Sequence, residues 1–133
     1  MNFRECLEEV EKALQKLREL NQVIPIVVEG EKDVAALRLL GLEGLIIPLH
    51  SGKEIANFCD LLANQYESII LLTDWDKKGW KLARAIEQNL SGRTKCYTDF
   101  RLVFAKCMGV KRMEGVPSYL SKLKKRLNTT KKI

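Results

Sequence analysis

The stretch Leu71-Leu72-Thr73-Asp74-Trp75-Asp76-Lys77-Lys78-Gly79 decides how this chain folds. It passes from an apolar segment into two carboxylates one residue apart, then into a basic turn that ends in glycine. With Ser68-Ile69-Ile70 before it, the apolar part reads as a strand covered on both faces, and the spacing after it predicts a helix over about 77–89. The same order occurs earlier. Val23-Ile24-Pro25-Ile26-Val27-Val28 is β-branched apart from its proline, too apolar to alternate, and is closed by Glu29-Gly30-Glu31-Lys32-Asp33. Pro25, which has no N–H to give a sheet, is expected near that strand's start.

Working outward, strands are predicted at 45–49, 68–73 and 94–97 and helices over about 31–40 and 53–65. Phe3, Leu7, Val10, Leu14, Leu17 and Leu20 recur at spacings of three and four, which makes residues 2–20 an amphipathic helix that covers the sheet or mates with another copy. Alternating strands and helices imply βαβ units, hence an α/β fold: a four-stranded, mainly parallel sheet with helices on both faces. Beyond residue 98 a helix is expected over 99–108, a short strand over 110–113 and a helix over 117–127, with Pro117 in its first turn and a frayed end from 128. The chain therefore divides into an amino-terminal helix (1–21), a central domain (22–98) and a carboxyl-terminal extension (99–133).

At 133 residues, 46% hydrophobic and 30% charged, the chain has the length and balance of one globular domain. No apolar run approaches the roughly 18 residues needed to span a bilayer, and the acidic amphipathic start is unlike a secretory signal; a cytoplasmic protein with no membrane contact is expected. Cys6, Cys59, Cys96 and Cys107 form no CxxC pair, and His50 is the one histidine, so a zinc site is not expected and the thiols read as small core residues. The net charge of +6 is uneven: residues 1–90 carry 11 Lys/Arg against 15 Asp/Glu, while 91–133 carry 12 against 2. So basic an extension suits a polyanion, and nucleic acid is the commonest one.

In open α/β sheets, ligands bind beyond the carboxyl ends of the strands, where Glu29, Asp74 and Asp76 fall. Residues two apart on an extended strand project to the same side, so Asp74 and Asp76 are expected to face one cation together. Carboxylates without His or Cys suit a hard ion such as Mg²⁺, with Mn²⁺ as a substitute. Gly30 is expected to let the chain turn tightly after Glu29 and Gly79 to do similar work at the start of the next helix, with glycine there permitting close approach of a ligand.

The pattern of apolar strand, Glu-Gly-x-x-Asp, a glycine after the second strand, then apolar strand and Asp-x-Asp-x-x-Gly resembles the Toprim family over about residues 22–98. That domain is shared by bacterial-type primases, type IA and type II topoisomerases, overcoming-lysogenisation-defect nucleases and the ribonuclease that matures 5S ribosomal RNA. The resemblance implies a Rossmann-like Toprim fold in a small stand-alone protein. It further implies Glu29 as general acid/base and ion ligand, with Asp74 and Asp76 as Mg²⁺ ligands, while Gly30, Asp33, Gly52 and Gly79 match weaker positions. For the three carboxylates to meet, strand 23–28 must lie beside strand 68–73, which suggests a strand order of 2-1-3-4.

Lys53, Lys77 and Lys78 are candidate phosphate contacts. Trp75, lying between two site residues, is the candidate for stacking on a base, whereas Trp80 is expected to pack under the sheet. His50-Ser51-Gly52-Lys53-Glu54 fails as a P-loop because Glu54 stands where Ser or Thr is required. Lys78 likewise breaks the haloacid-dehalogenase phosphatase pattern. The favoured function is Mg²⁺-dependent phosphodiester chemistry on nucleic acid, nuclease-type, with RNA preferred over DNA. The alternatives are a non-catalytic nucleic-acid-binding or scaffolding module, with protein partners or as a homodimer, and a hydrolase of small phosphate compounds.

Overall fold

A computed structural model describes residues 2–49 and 54–131. The helices and strands run in the order α1 (Phe3–Leu20), β1 (Ile26–Val28), α2 (Glu31–Leu39), β2 (Ile46–Pro48), α3 (Ile55–Gln65), β3 (Ser68–Leu71), α4 (Lys77–Leu90), β4 (Lys95–Tyr97), α5 (Asp99–Cys107) and α6 (Val116–Lys131), with a 3₁₀ turn over Met113–Gly115 before α6. The sheet is wholly parallel with strand order β2-β1-β3-β4, as inferred from the need to bring Glu29 to Asp74. Pro25 precedes β1, and its carbonyl accepts from Ile70 N–H at 2.9 Å.

The pleat sorts the core into two layers. Ile26, Val28, Ile70 and Leu72 face a layer with α1, α2, α5 and α6, while Val27, Ile69 and Leu71 face α3 and α4. Because both faces are covered, the central strands can be apolar at every position, the feature that made them legible. Helix α1 lies on the first layer, burying Cys6, Val10, Leu14 and Leu17; full burial of one such leucine contributes about 2 kcal/mol. The helix is started by a capping box, in which Asn2 Oδ1 accepts from Glu5 N–H at 2.9 Å. Helix α6 crosses α1 with Leu120 and Leu123 buried and a Lys124–Glu11 pair at 2.8 Å. Both partners of that pair are well exposed, so it is worth under about 1 kcal/mol.

Two expectations for the extension need correction. Residues 110–113 form no strand, because their polar backbone groups serve the loop after β3 instead of the sheet: Lys111 O accepts from Trp75 N–H at 3.0 Å and Met113 N–H donates to Asp74 Oδ1 at 2.8 Å. The last helix also does not fray at 128 but continues to Lys131. All four cysteines are free thiols; Cys6, Cys59 and Cys107 are buried as expected and Cys96 is half-buried. Among the described residues no helix is long and apolar enough to cross a membrane.

Candidate active site

The pairing of β1 with β3 in parallel carries Glu29 and the loop 72–76 to the same end of the sheet. There the Asp74 N–H donates to Glu29 Oε2 at 2.7 Å. The Asp74 carboxylate is held as well, its Oδ1 accepting from Met113 N–H at 2.8 Å while the Glu29 carboxylate lies close beside it. Asp33, only 7% exposed, reaches back from the first turn of α2 to accept from Gly30 N–H at 3.1 Å. Glu29, Glu31, Asp33, Asp74 and Glu114 line one cleft of about 450 Å³, with Lys32 and Arg112 as its cations.

So many carboxylates at one place oppose their own ionisation. Burial, then the nearby Asp74 charge, pushes Asp33 up to about 6. Burial, then the charges of Glu29 and Asp76, likewise pushes Asp74 up to about 6 against the stabilising Met113 N–H. Both groups therefore bind protons more tightly in the folded chain than in the unfolded one. Sequence reasoning missed Glu114 and Arg112, which reach the cleft only through the path of residues 110–115; nothing in their local pattern marks them.

Asp74 and Asp76 do not project side by side from a strand. β3 ends at Leu71, and Asp76 is the N-cap of α4, its Oδ1 accepting from Gly79 N–H at 2.8 Å. The other Asp76 oxygen faces Arg112 Nε at 3.5 Å. Among the described residues no three His, Cys, Asp or Glu form a group arranged to hold a metal ion between them. In chemistry the donor set nevertheless fits Mg²⁺, which takes one or two carboxylates and completes its shell with water and phosphate oxygens.

Gly79 is required by contact. A Cβ built on it falls 1.8 Å from Asp74 O, where the loop passes against α4; Thr73 Oγ1 fixes the same approach by donating to Gly79 O at 3.0 Å. Gly79→Ala is therefore expected to cost about 2 kcal/mol or more in urea denaturation, with a matching loss at the site. A cost below about 0.5 kcal/mol would show that the loop moves freely. Gly30 differs from expectation: its φ of −158° is extended backbone open to any residue, and a Cβ there meets nothing within 4 Å.

The two tryptophans exchange their expected places. Trp75 is 6% exposed, stacks on Phe104 with centroids 5.5 Å apart and donates its indole N–H to Val110 O; it belongs to the core and offers no face to a base. Trp80 is 41% exposed. Lys77 and Lys78 are exposed on the first turn of α4. Gly52 and Lys53, with His50 and Ser51, lie outside the described residues.

The fold and its acidic strand ends define a Toprim domain: the Toprim domain profile matches residues 24–107, and the chain belongs to that family. Among relatives, it is 43% identical to the UPF0292 protein of Thermococcus sibiricus over 73% of each chain. The UPF0292 protein of Methanosarcina barkeri is 31% identical over 92% of this chain and 87% of its own. That of Thermoplasma volcanium is 44% identical over a shorter span, 50% of this chain and 56% of its own. A solved structure of an Aquifex aeolicus protein superposes with a TM-score of 0.67 at 28% identity, covering 78% of this chain and 94% of that one. Toprim domains as a class bind Mg²⁺ and belong to metal-dependent nucleic-acid processing.

Proposed function

We propose that this chain performs Mg²⁺-dependent phosphodiester chemistry on nucleic acid, as a nuclease that processes RNA. The observation that carries the reading is the cleft in which Glu29 and Asp74, at adjacent strand ends, meet Asp33 from the first turn of α2. Mg²⁺ or Mn²⁺, held through Asp74 and Asp76 with Glu29, would neutralise phosphate charge and lower the pKa of a bound water. Glu29 moves the proton at its carboxylate. Lys32 and Arg112 offset the repulsion a phosphodiester meets among the acids, and the guanidinium of Arg112 is shaped to hold two phosphate oxygens. The exposed Lys122, Lys124, Lys125 and Arg126 of α6 are suited to the nucleic-acid backbone.

A second reading, a module that binds nucleic acid or a processing complex without turnover, is favoured by the hydrogen bond that commits Glu29 to Asp74 N–H. Labelled structured RNA, single-stranded RNA and duplex DNA incubated with and without Mg²⁺ separate the two. Mg²⁺-dependent shortening of RNA is expected. Retarded but unshortened substrates would favour the binding module, and the absence of both effects would sink the nuclease and the nucleic-acid-binding module alike.

The acidic cleft gives a further expectation. A carboxyl group whose folded pKa is raised costs stability at pH values above that pKa, and the cost disappears as pH falls below the unfolded value. Metal-free protein should therefore gain from its Asp33 and Asp74 as pH falls through about 6 toward about 4. At about pH 7.5, Asp74→Asn should melt a few degrees above wild type without Mg²⁺, since it keeps the acceptor for Met113 N–H and removes the charge. Added Mg²⁺ should raise the wild-type midpoint and leave the variant's in place. A variant that melts below wild type, or that gains equally from Mg²⁺, would contradict this account in thermal melts followed by circular dichroism.

A further inference from the structure

Helix α4 leaves the candidate site at the Asp76 cap with an exposed face that is both basic and aromatic. Lys77 and Lys78 fill its first turn, where the helix dipole disfavours positive charge and where no acidic residue stands. One turn on is Trp80, 41% exposed and in neither layer of the core. Helical spacing puts Lys77, three residues before, and Arg84, four after, on the same side as its indole; both are exposed. The ring is not loose. The guanidinium carbon of Arg101 lies 4.4 Å from its centroid, and Arg101, 1% exposed, is fixed by donating from Nε to Thr73 O and from Nη2 to Asp74 O, each at 2.8 Å. The indole is thus backed by a buried cation that also holds the backbone of Asp74, which ties the ring to the candidate site through one side chain.

We infer that Trp80 is a stacking platform for an unpaired base of single-stranded nucleic acid, with Lys77 and Arg84 taking the adjoining phosphates and leading the strand past the Asp74–Asp76 loop. The inference rests on the nucleic-acid reading above and adds the strandedness of the substrate. An aromatic face flanked by Lys77, Lys81 and Arg84 suits a polyanion that carries flat rings, and suits an apolar protein surface poorly. A duplex keeps its bases paired and presents none to the ring. With the indole already oriented by Arg101, little side-chain freedom is lost on stacking.

Fluorescence anisotropy tests this with a labelled single-stranded RNA of roughly 12 nucleotides and the duplex of the same sequence, each with Mg²⁺ and with EDTA. Trp80→Ala should weaken single-strand binding about tenfold or more, Trp80→Phe should stay within about threefold of wild type, and duplex affinity should move less than about twofold. Three results overturn the inference alone, with the wild type binding: an alanine variant as tight as wild type, equal losses for single strand and duplex, or failure of phenylalanine to rescue. A wild type without affinity for either form overturns the proposed function and the inference together. Trp80 lies on the surface and both variants are expected to fold, which near-ultraviolet circular dichroism checks through the signal of the core Trp75.

Discussion

Glu29→Gln is expected to cut Mg²⁺-dependent shortening of RNA by about a hundredfold to ten-thousandfold, the range over which a positioned acid or base acts, while leaving the affinity for RNA within about twofold. The substitution isolates chemistry from structure. Glutamine keeps an oxygen for the Asp74 N–H that Glu29 Oε2 now accepts at 2.7 Å, so the loop 73–76 retains its tie to β1. What it lacks is a carboxylate able to take or return a proton and to help Asp74 and Asp76 hold the ion. Removing a negative charge from a cleft lined by five acids can only ease the approach of phosphate. Asp74→Asn combined with Asp76→Asn should be as damaging to turnover, through loss of ion ligands, and asparagine at 76 still caps α4. Single-turnover product formation measures the first effect and gel retardation the second. Cleavage that survives Glu29→Gln would reduce Glu29 to a loop tie. Loss of binding along with cleavage would mean that the substitution had disordered the site and had not removed its acid/base.

The sheet was legible because its strands are buried on both faces. Ile26–Val28 and Ser68–Leu71 carry no polar residue after Ser68, and that alone distinguishes them from the alternating strands of a half-exposed sheet. Strand order followed from one functional demand, that Glu29 reach Asp74, and the β1–β3 pairing meets it. Strand ends were less legible. Reading β3 through Thr73 made Asp74 and Asp76 look like neighbours on one face, whereas the chain leaves the sheet at Leu71 and commits Asp76 to capping α4. Nor does local pattern say which tryptophan is buried. Trp75 is drawn inward by Phe104 and by the Val110 carbonyl, partners at least 29 residues away in the sequence. The same holds for 110–113: a β-branched residue and an apolar end suggest a strand, but tertiary hydrogen bonds to Trp75 and Asp74 claim the backbone. What the sequence hid, then, is the part of the site that the extension builds.

Arg101 is the clearest case, and its replacement carries the largest expected effect on stability. Arg101→Met should cost about 2–4 kcal/mol in urea denaturation, a fall of roughly 10 °C in melting temperature for a chain of this size. The guanidinium is 1% exposed and donates to two carbonyls of the loop after β3, Thr73 O and Asp74 O. Methionine fills the volume of the stem and leaves both acceptors without a donor, where burial keeps water from replacing it. The opposing term is real: taking a buried cation away relieves its desolvation, and well-packed apolar residues sometimes replace buried ions without loss. Here the balance falls against the variant, because the charge of Arg101 also offsets those of Glu87, Glu29, Asp74 and Asp76, which would otherwise repel one another across the site. Lysine should recover only part of the loss, since its ammonium is a point donor and cannot span two carbonyls as the planar fork does. Wild type, Lys and Met should therefore rank in that order of midpoint, with the indole of Trp80 losing its backing in the last. A methionine variant melting within about 2 °C of wild type would mean that the loop finds other donors, and that Asp74 is held in place by Glu29 and Met113 alone.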